Sequence, residues 1–132
     1  MTPAQRLSDL LCATAVRLGF DPPADVAALA TCPDTEVIPC GDGAVSFTCR
    51  PWATYLNAAF PPNDRRGYRQ AYAAIQAGLR RYGHLTAVVH PSNAASVRVV
   101  LRLGGTPIGV DPEGFIHYDI GRNDHAQPSS PT

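Results

Sequence analysis

The chain has 132 residues, a formal net charge of zero and 45% hydrophobic residues. That suits one domain of ordinary composition, large enough to bury about two-thirds of its unfolded surface without disulfide or metal staples. The charge balance weighs against a general nucleic-acid or membrane-surface binder, and because all 11 basic residues are Arg, lysine-base and Schiff-base chemistry are excluded.

No apolar run approaches the ~20 residues of a membrane-spanning helix. The first residues lack the basic and apolar regions of a secretion signal, so a cytoplasmic protein is expected. Cys12, Cys32, Cys40 and Cys49 form no CxxC pair and no zinc-ligand spacing. Reduced, idle thiols are expected, with a Cys32–Cys40 or Cys40–Cys49 disulfide as the alternative.

Residues 3–19 read as an amphipathic helix, with Leu7, Leu10, Leu11, Thr14 and Leu18 on one face and Gly19 as its stop. A short second helix is expected over 24–30. Residues 35–40 and 44–50 flank Gly41-Asp42-Gly43 and read as a hairpin, with Val45, Phe47 and Cys49 on one side of the second strand. A third strand over 52–60 follows, antiparallel to the second.

The stretch 55–105 then reads as strand, basic turn, helix, strand, helix. The helix over 66–82 carries Tyr68, Tyr72, Ile75, Leu79 and Tyr82 at helical spacing and stops at Gly83. Residues 85–90 are almost wholly apolar, as in a strand buried on both faces. Ser92 or Asn93 caps the next helix, whose Val97, Val100 and Leu101 share a face. Strands over 106–110 and 115–120 flank the turn Asp111-Pro112-Glu113-Gly114. Residues 1–121 are thus expected to form one α/β domain built on a mixed α+β sheet, with N-terminal helices, a hairpin, a central βαβα unit and a closing hairpin. Residues 122–132 read as a flexible polar tail.

Two segments carry a resemblance. The first is FPPNDRRGYRQAYAAI, a strand end and an arginine-rich, glycine-containing turn opening a helix. The second is HPSNAASVRVVLRLGG, an Asn-headed helix closed by Leu-Gly-Gly. In this order, with a strand between them, they resemble the GNAT superfamily of acetyl-CoA-dependent N-acetyltransferases over about residues 35–120. The variants carried by some tailed bacteriophages, with a terse Pro-x-x-Arg-Gly turn, are similar in character. The resemblance implies a GNAT-like fold lacking the usual first strand, and transfer of an acetyl group from acetyl-CoA to a small-molecule or peptide amine by direct attack. It also implies a cofactor, acetyl-CoA or CoA, whose pantetheine lies between strands 52–60 and 85–90 and pairs with the backbone of Asn57, Ala58 and Phe60. The N–H groups of Arg65, Arg66, Gly67, Tyr68 and Arg69 would cradle the pyrophosphate, since helix starts attract anions. Asn93 and Ser96 would face the cofactor's far end.

Several positions depart from the family pattern. Asp64 stands where the turn usually has Gln or Arg, and Arg69 stands at a small-residue place. Val100 occupies the place of the Tyr that many members use as general acid, which leaves Ser96 as the acid used by others. The strand 52–60 contains no acidic residue, so Glu36, His90, His117 and Tyr118 are the candidate bases, each of which also suits plain packing or solvation. Trp52 is a candidate wall of the acceptor pocket. These departures support an alternative, a catalytically inactive structural or interaction protein, in the extreme a component of a virus particle contacting other virion proteins. The second class of reading predicts a virion location instead of a cytoplasmic one. Neither reading calls for a metal or a membrane, and nucleic-acid binding is disfavoured.

Overall fold

The computed structural model describes residues 2–22 and 33–121. The helix expected over 24–30, the tail over 122–132 and Cys32 lie outside the described residues. The elements in chain order are α1 (Pro3–Leu18), β1 (Thr35–Cys40), β2 (Gly43–Arg50), β3 (Ala53–Ala59), α2 (Arg65–Tyr82), β4 (His84–Val89), α3 (Ala94–Arg102), β5 (Thr106–Val110) and β6 (Ile116–Gly121). The six strands form one sheet in the order β1-β2-β3-β4-β6-β5. Every neighbouring pair is antiparallel except β3 and β4 at the centre. None of the described helices is long and apolar enough to cross a membrane.

Each helix starts and stops for a local reason. Thr2 caps α1 by accepting from the Gln5 N–H, and Gly19 ends it in the left-handed conformation. Asp64 caps α2, and its predecessor Asn63 adopts a positive φ of 64°, a region that Asn tolerates better than most residues. Asn93 caps α3 by accepting from the Ser96 N–H.

The core lies mainly on one face of the sheet. There Val45 and Phe47 of β2, Leu56 of β3, Leu85, Ala87 and Val89 of β4, and Tyr118 and Ile120 of β6 meet Ala71, Ile75 and Leu79 of α2 and Val100 of α3. A fully buried Leu or Ile in such a layer contributes ~1.5–3 kcal/mol through removal of apolar surface from water. On the opposite face α1 lies across β1, β2 and β3 and seals Leu7 against Ala44 and Ala59.

The two layers explain where burial departs from the sequence patterns. The alternation in β2 suggested one buried side, yet Gly43 through Thr48 are all buried, because α1 covers one face and α2 the other. Thr48 is satisfied by the Thr35 hydroxyl at 2.8 Å. The reverse holds for β4. Its apolar run suggested burial on both faces, but Leu85, Ala87 and Val89 are buried while Thr86 and Val88 are only half-buried. In α3, Leu103 is buried just past the helix end, and Leu101 is 53% exposed. Cys12, Cys40 and Cys49 are free thiols, so the Cys40–Cys49 bridge does not form.

Gly78 sits where α2 crosses β2. A Cβ there would lie 2.5 Å from Phe47 Cε1 and Cζ, so the crossing is close because this residue has no side chain. Glycine inside a helix ordinarily costs ~1 kcal/mol relative to alanine. Here the sign reverses. Gly78→Ala is expected to destabilise the fold by about 1–3 kcal/mol through overpacking, measured by urea unfolding, and a neutral or stabilising result would contradict the close crossing.

Candidate active site

The site begins with an interruption of the sheet. β3 and β4 pair only at Tyr55↔Thr86 and Leu56↔Ala87. Beyond those two pairs β3 continues on β2 as far as Ala59, and β4 continues on β6 as far as Val89. The two central parallel strands therefore part towards their C-terminal ends. Backbone polar groups on facing inner edges, left without a ladder, need partners.

A cavity of about 450 Å³ opens at this parting, within the ~300–1,000 Å³ range of small-molecule sites. Its walls come from both sides of the sheet. Leu56–Phe60 and Ala87–His90 form the edges of the opening. Tyr68, Tyr72 and Ile75 of α2 stand on one side with Ser96, Val99 and Val100 of α3, and Leu11, Thr14, Arg17, Leu18 and Phe20 come from α1 and its end. The apolar face of α1 is thus divided. Leu7 serves the core, Thr14 and Leu18 serve the cavity, and Leu11 touches both.

Of the residues expected at a cofactor site, the cavity wall contains Asn57, Ala58, Phe60, Tyr68 and Asn93, and of the catalytic candidates it contains His90 and Ser96. Arg65, Arg66, Gly67 and Arg69 are not on the wall. The reason is the start of α2. Asp64 Oδ1 accepts the Gly67 N–H at 3.0 Å, and Asp64 Oδ2 accepts the Asp42 N–H at 3.0 Å. The Arg65 N–H goes to the Asn63 carbonyl and the Tyr68 N–H to the Asp64 carbonyl, both at 3.0 Å. The amides expected to meet a pyrophosphate are thus largely engaged, while the Arg65, Arg66 and Arg69 side chains are exposed to solvent.

His117 and Tyr118 also lie away from the cavity. Tyr118 is 5% exposed and belongs to the core. His117 Nε2 lies 3.1 Å from Asp111 Oδ2 in the closing hairpin. Glu36 pairs with Arg81 at 3.0 Å on the sheet's first strand. Trp52 is 72% exposed, bonded to the Tyr55 hydroxyl, and also off the wall. Cys40 is no nucleophile: burial, and then the nearby Asp64 carboxylate, push its thiol up from the ordinary value.

His90 is the wall residue with the most elaborate support. Its ring stacks on Phe20 at 4.2 Å and 1° between planes, and Phe115 meets it edge-on at 5.1 Å. Its Nδ1 receives the Ser92 N–H at 3.2 Å and lies 2.7 Å from the Ser92 hydroxyl. A backbone N–H can only donate, so Nδ1 is the acceptor and the neutral ring carries its proton on Nε2. His90 therefore offers a hydrogen-bond donor and is not poised as a base at Nε2. Among the described residues, no Asp or Glu lines the cavity; its charged wall residues are Arg17 and Arg102. Phe20, Phe115, Arg17 and Arg102 escaped the sequence reading. Phe20 and Phe115 are far apart in the chain yet meet each other edge-on at 5.5 Å as well as His90, and neither carried a local signal.

Solved structures of several acetyltransferases are similar to this chain. An acetyltransferase from Thermus thermophilus superposes with a TM-score of 0.63 at 18% identity, covering 92% of this chain and 94% of that one. An acetyltransferase from Agrobacterium tumefaciens gives 0.59 at 19% identity, covering 89% and 84%. A probable acetyltransferase gives 0.57 at 14% identity, covering 92% and 89%. No protein-family model matches the sequence, and no curated protein matches it significantly. The chain has the fold of the GNAT acetyltransferases, with a six-stranded mixed sheet and three helices among the described residues.

The Asp111 turn gives a separate test of the geometry. Burial works against the Asp111 carboxylate, but the His117 hydrogen bond, the Phe115 and Glu113 N–H groups and the His117 charge outweigh it, so its pKa is lowered. A depressed folded value means that the turn is stabilised fully above the unfolded value of ~3.9 and loses that stabilisation as pH falls through the folded value. Carboxyl NMR titration is expected to place the Asp111 midpoint below ~3.9. A midpoint at or above it would show that the turn does not hold the carboxylate.

Proposed function

We propose that this chain is an N-acyltransferase that takes an acetyl group from acetyl-CoA and transfers it to an amine by direct attack. The observation that supports this reading best is the parting of β3 from β4 after Leu56 and Ala87, in a fold shared with acetyltransferases. An extended arm with its own amides suits such an opening, because it adds as a short strand to backbone groups that lack a ladder. Asn57, Ala58 and Phe60 supply the β3 wall for the pantetheine arm, and Asn93 and Ser96 supply the α3 side. A thioester supplies an activated acyl carbon. The amine nitrogen bonds to that carbon as the carbon–sulfur bond breaks, the ammonium proton passes to water, and sulfur leaves as the thiolate.

The roles of the protein groups follow from the wall. His90 offers its Nε2–H to the negative charge that develops on the reacting oxygen, and the stacked Phe20 and the Ser92 bonds hold the ring for that purpose. Ser96 is the hydroxyl nearest in role to a proton donor for the leaving sulfur. Leu11, Leu18 and Phe20 give the α1 side of the cavity an apolar surface that excludes water around the acceptor.

A second reading, a non-catalytic interaction protein with the same fold, is favoured by the absence of a carboxylate from the described wall and by Val100 at the place where the resemblance expects a tyrosine. Turnover separates the two. Acetyl-CoA and CoA are expected to bind in calorimetry and to raise the melting temperature, and no heat and no shift at millimolar ligand would end the acyltransferase reading. Where a defined amine is acetylated, His90→Gln is expected to lower kcat by about 10²–10³, the usual cost of losing one such donor, with little change in the KM for acetyl-CoA. An unchanged kcat would remove His90 from the mechanism.

A further inference from the structure

We infer that this chain holds its acyl donor by the pantetheine arm alone, and that the donor's diphosphate is not cradled at the start of α2. The inference rests on the acyltransferase reading and narrows its donor to pantetheine thioesters, with or without a nucleotide attached. Three observations carry it.

The first is that an internal anion already occupies the helix start. The Asp64 carboxylate takes the Gly67 N–H with one oxygen and the Asp42 N–H with the other, so a diphosphate would have to displace a ligand of its own charge sign. A helix start favours one anion there, and two close together repel.

The second is that the β1–β2 turn is docked over the same place. Gln70 Oε1 accepts the Gly41 N–H at 2.7 Å. A Cβ on Gly41 would lie 2.8 Å from the Gly67 backbone, and one on Gly67 would lie 2.8 Å from the Cys40 carbonyl oxygen. Gly67 is buried by this contact. Opening a phosphate seat there means moving the turn as well as the carboxylate.

The third is the location of the open space. The cavity follows the inner edges of β3 and β4 and the wall of α3, and Tyr68 is its only wall residue from the first turn of α2. The volume suits a flexible amide-bearing arm and stops short of Arg65, Arg66 and Arg69.

Calorimetry on the full chain with CoA, pantetheine and ADP tests this. An amide-cradled diphosphate makes several charge-assisted hydrogen bonds, so removing it from a ligand ordinarily weakens binding by about a hundredfold or more. CoA and pantetheine are expected here to bind within about fivefold of each other, and ADP is expected not to compete with CoA. CoA binding about a hundredfold tighter than pantetheine, or competition by ADP, would overturn the inference while leaving the acyltransferase reading intact. Binding of neither thiol would overturn both. Asp64→Asn keeps a side chain able to cap the helix while removing the charge, and it is expected to raise the affinity for CoA relative to pantetheine several-fold. An unchanged ratio in a variant that melts normally would refute the part assigned to the Asp64 charge.

Discussion

The structure depends on a ladder that stops. Two parallel strands at the centre of a sheet would normally bond along their whole shared length, because unpaired backbone groups in that position are costly. Here β3 and β4 bond at two residue pairs and then follow different neighbours, β3 on β2 and β4 on β6. Each strand is secured by its outer partner, so the parting does not unravel the sheet. The helices follow from it. α2 connects the two strands and packs over β1, β2 and β4, α3 packs on β4, and α1 covers the other side of β1–β3. The cavity is what remains between these layers where the central ladder is missing.

A second constraint acts at the start of α2. The first turn of any helix presents N–H groups that need acceptors. They are met from outside by a ligand anion or from inside by a capping side chain, and one group does not serve both at once. In α2 the chain itself meets them through Asp64, in a turn set up by the left-handed Asn63. The same carboxylate holds the tip of the β1–β2 hairpin through Asp42, with Gln70 holding Gly41 beside it. The cap thus gains a tertiary role, tying the first hairpin to the central unit. A stronger scaffold at this corner comes at the expense of an open anion seat.

Much of this was legible from the residues. α1 and the order of strands and helices from Thr35 onward follow from alternation, helical spacing and the stops at Gly19 and Gly83, and those signals are local. The hairpin with Asp111 at its turn was readable for the same reason. What the sequence did not disclose is where separate elements meet. β2 alternates like a half-buried strand, yet Ser46 and Thr48 are buried along with Val45 and Phe47. Arg65, Arg66 and Arg69 sit at the opening of a helix, which is the right place for phosphate by spacing alone. Whether the amides beside them are free depends on the rotamer of Asp64 and on a turn more than twenty residues earlier. His90 was visible as a polar residue at a strand end, but its stacking partner Phe20 lies in another part of the chain.

The charge of the cavity wall bears on the proposed acyl transfer. With the exposed Arg17 and Arg102 on the wall and no carboxylate among the described residues that line it, nothing on that wall offsets the charge of a bound ammonium, which favours an acceptor amine in its neutral form. In that proposed reaction an amine that arrives already neutral loses its proton to water after attack, so an acidic residue on β3 is not required. The remaining electrostatic demand is for negative charge forming at the acyl oxygen and then at sulfur. Groups that donate hydrogen bonds suit that demand, and in the proposed reaction the His90 Nε2–H and the Ser96 hydroxyl are groups of that kind. On the proposed reading, the absence of a carboxylate from the described wall and the donors at His90 and Ser96 fit one arrangement, in which the leaving side is stabilised and the attacking side is left to solvent.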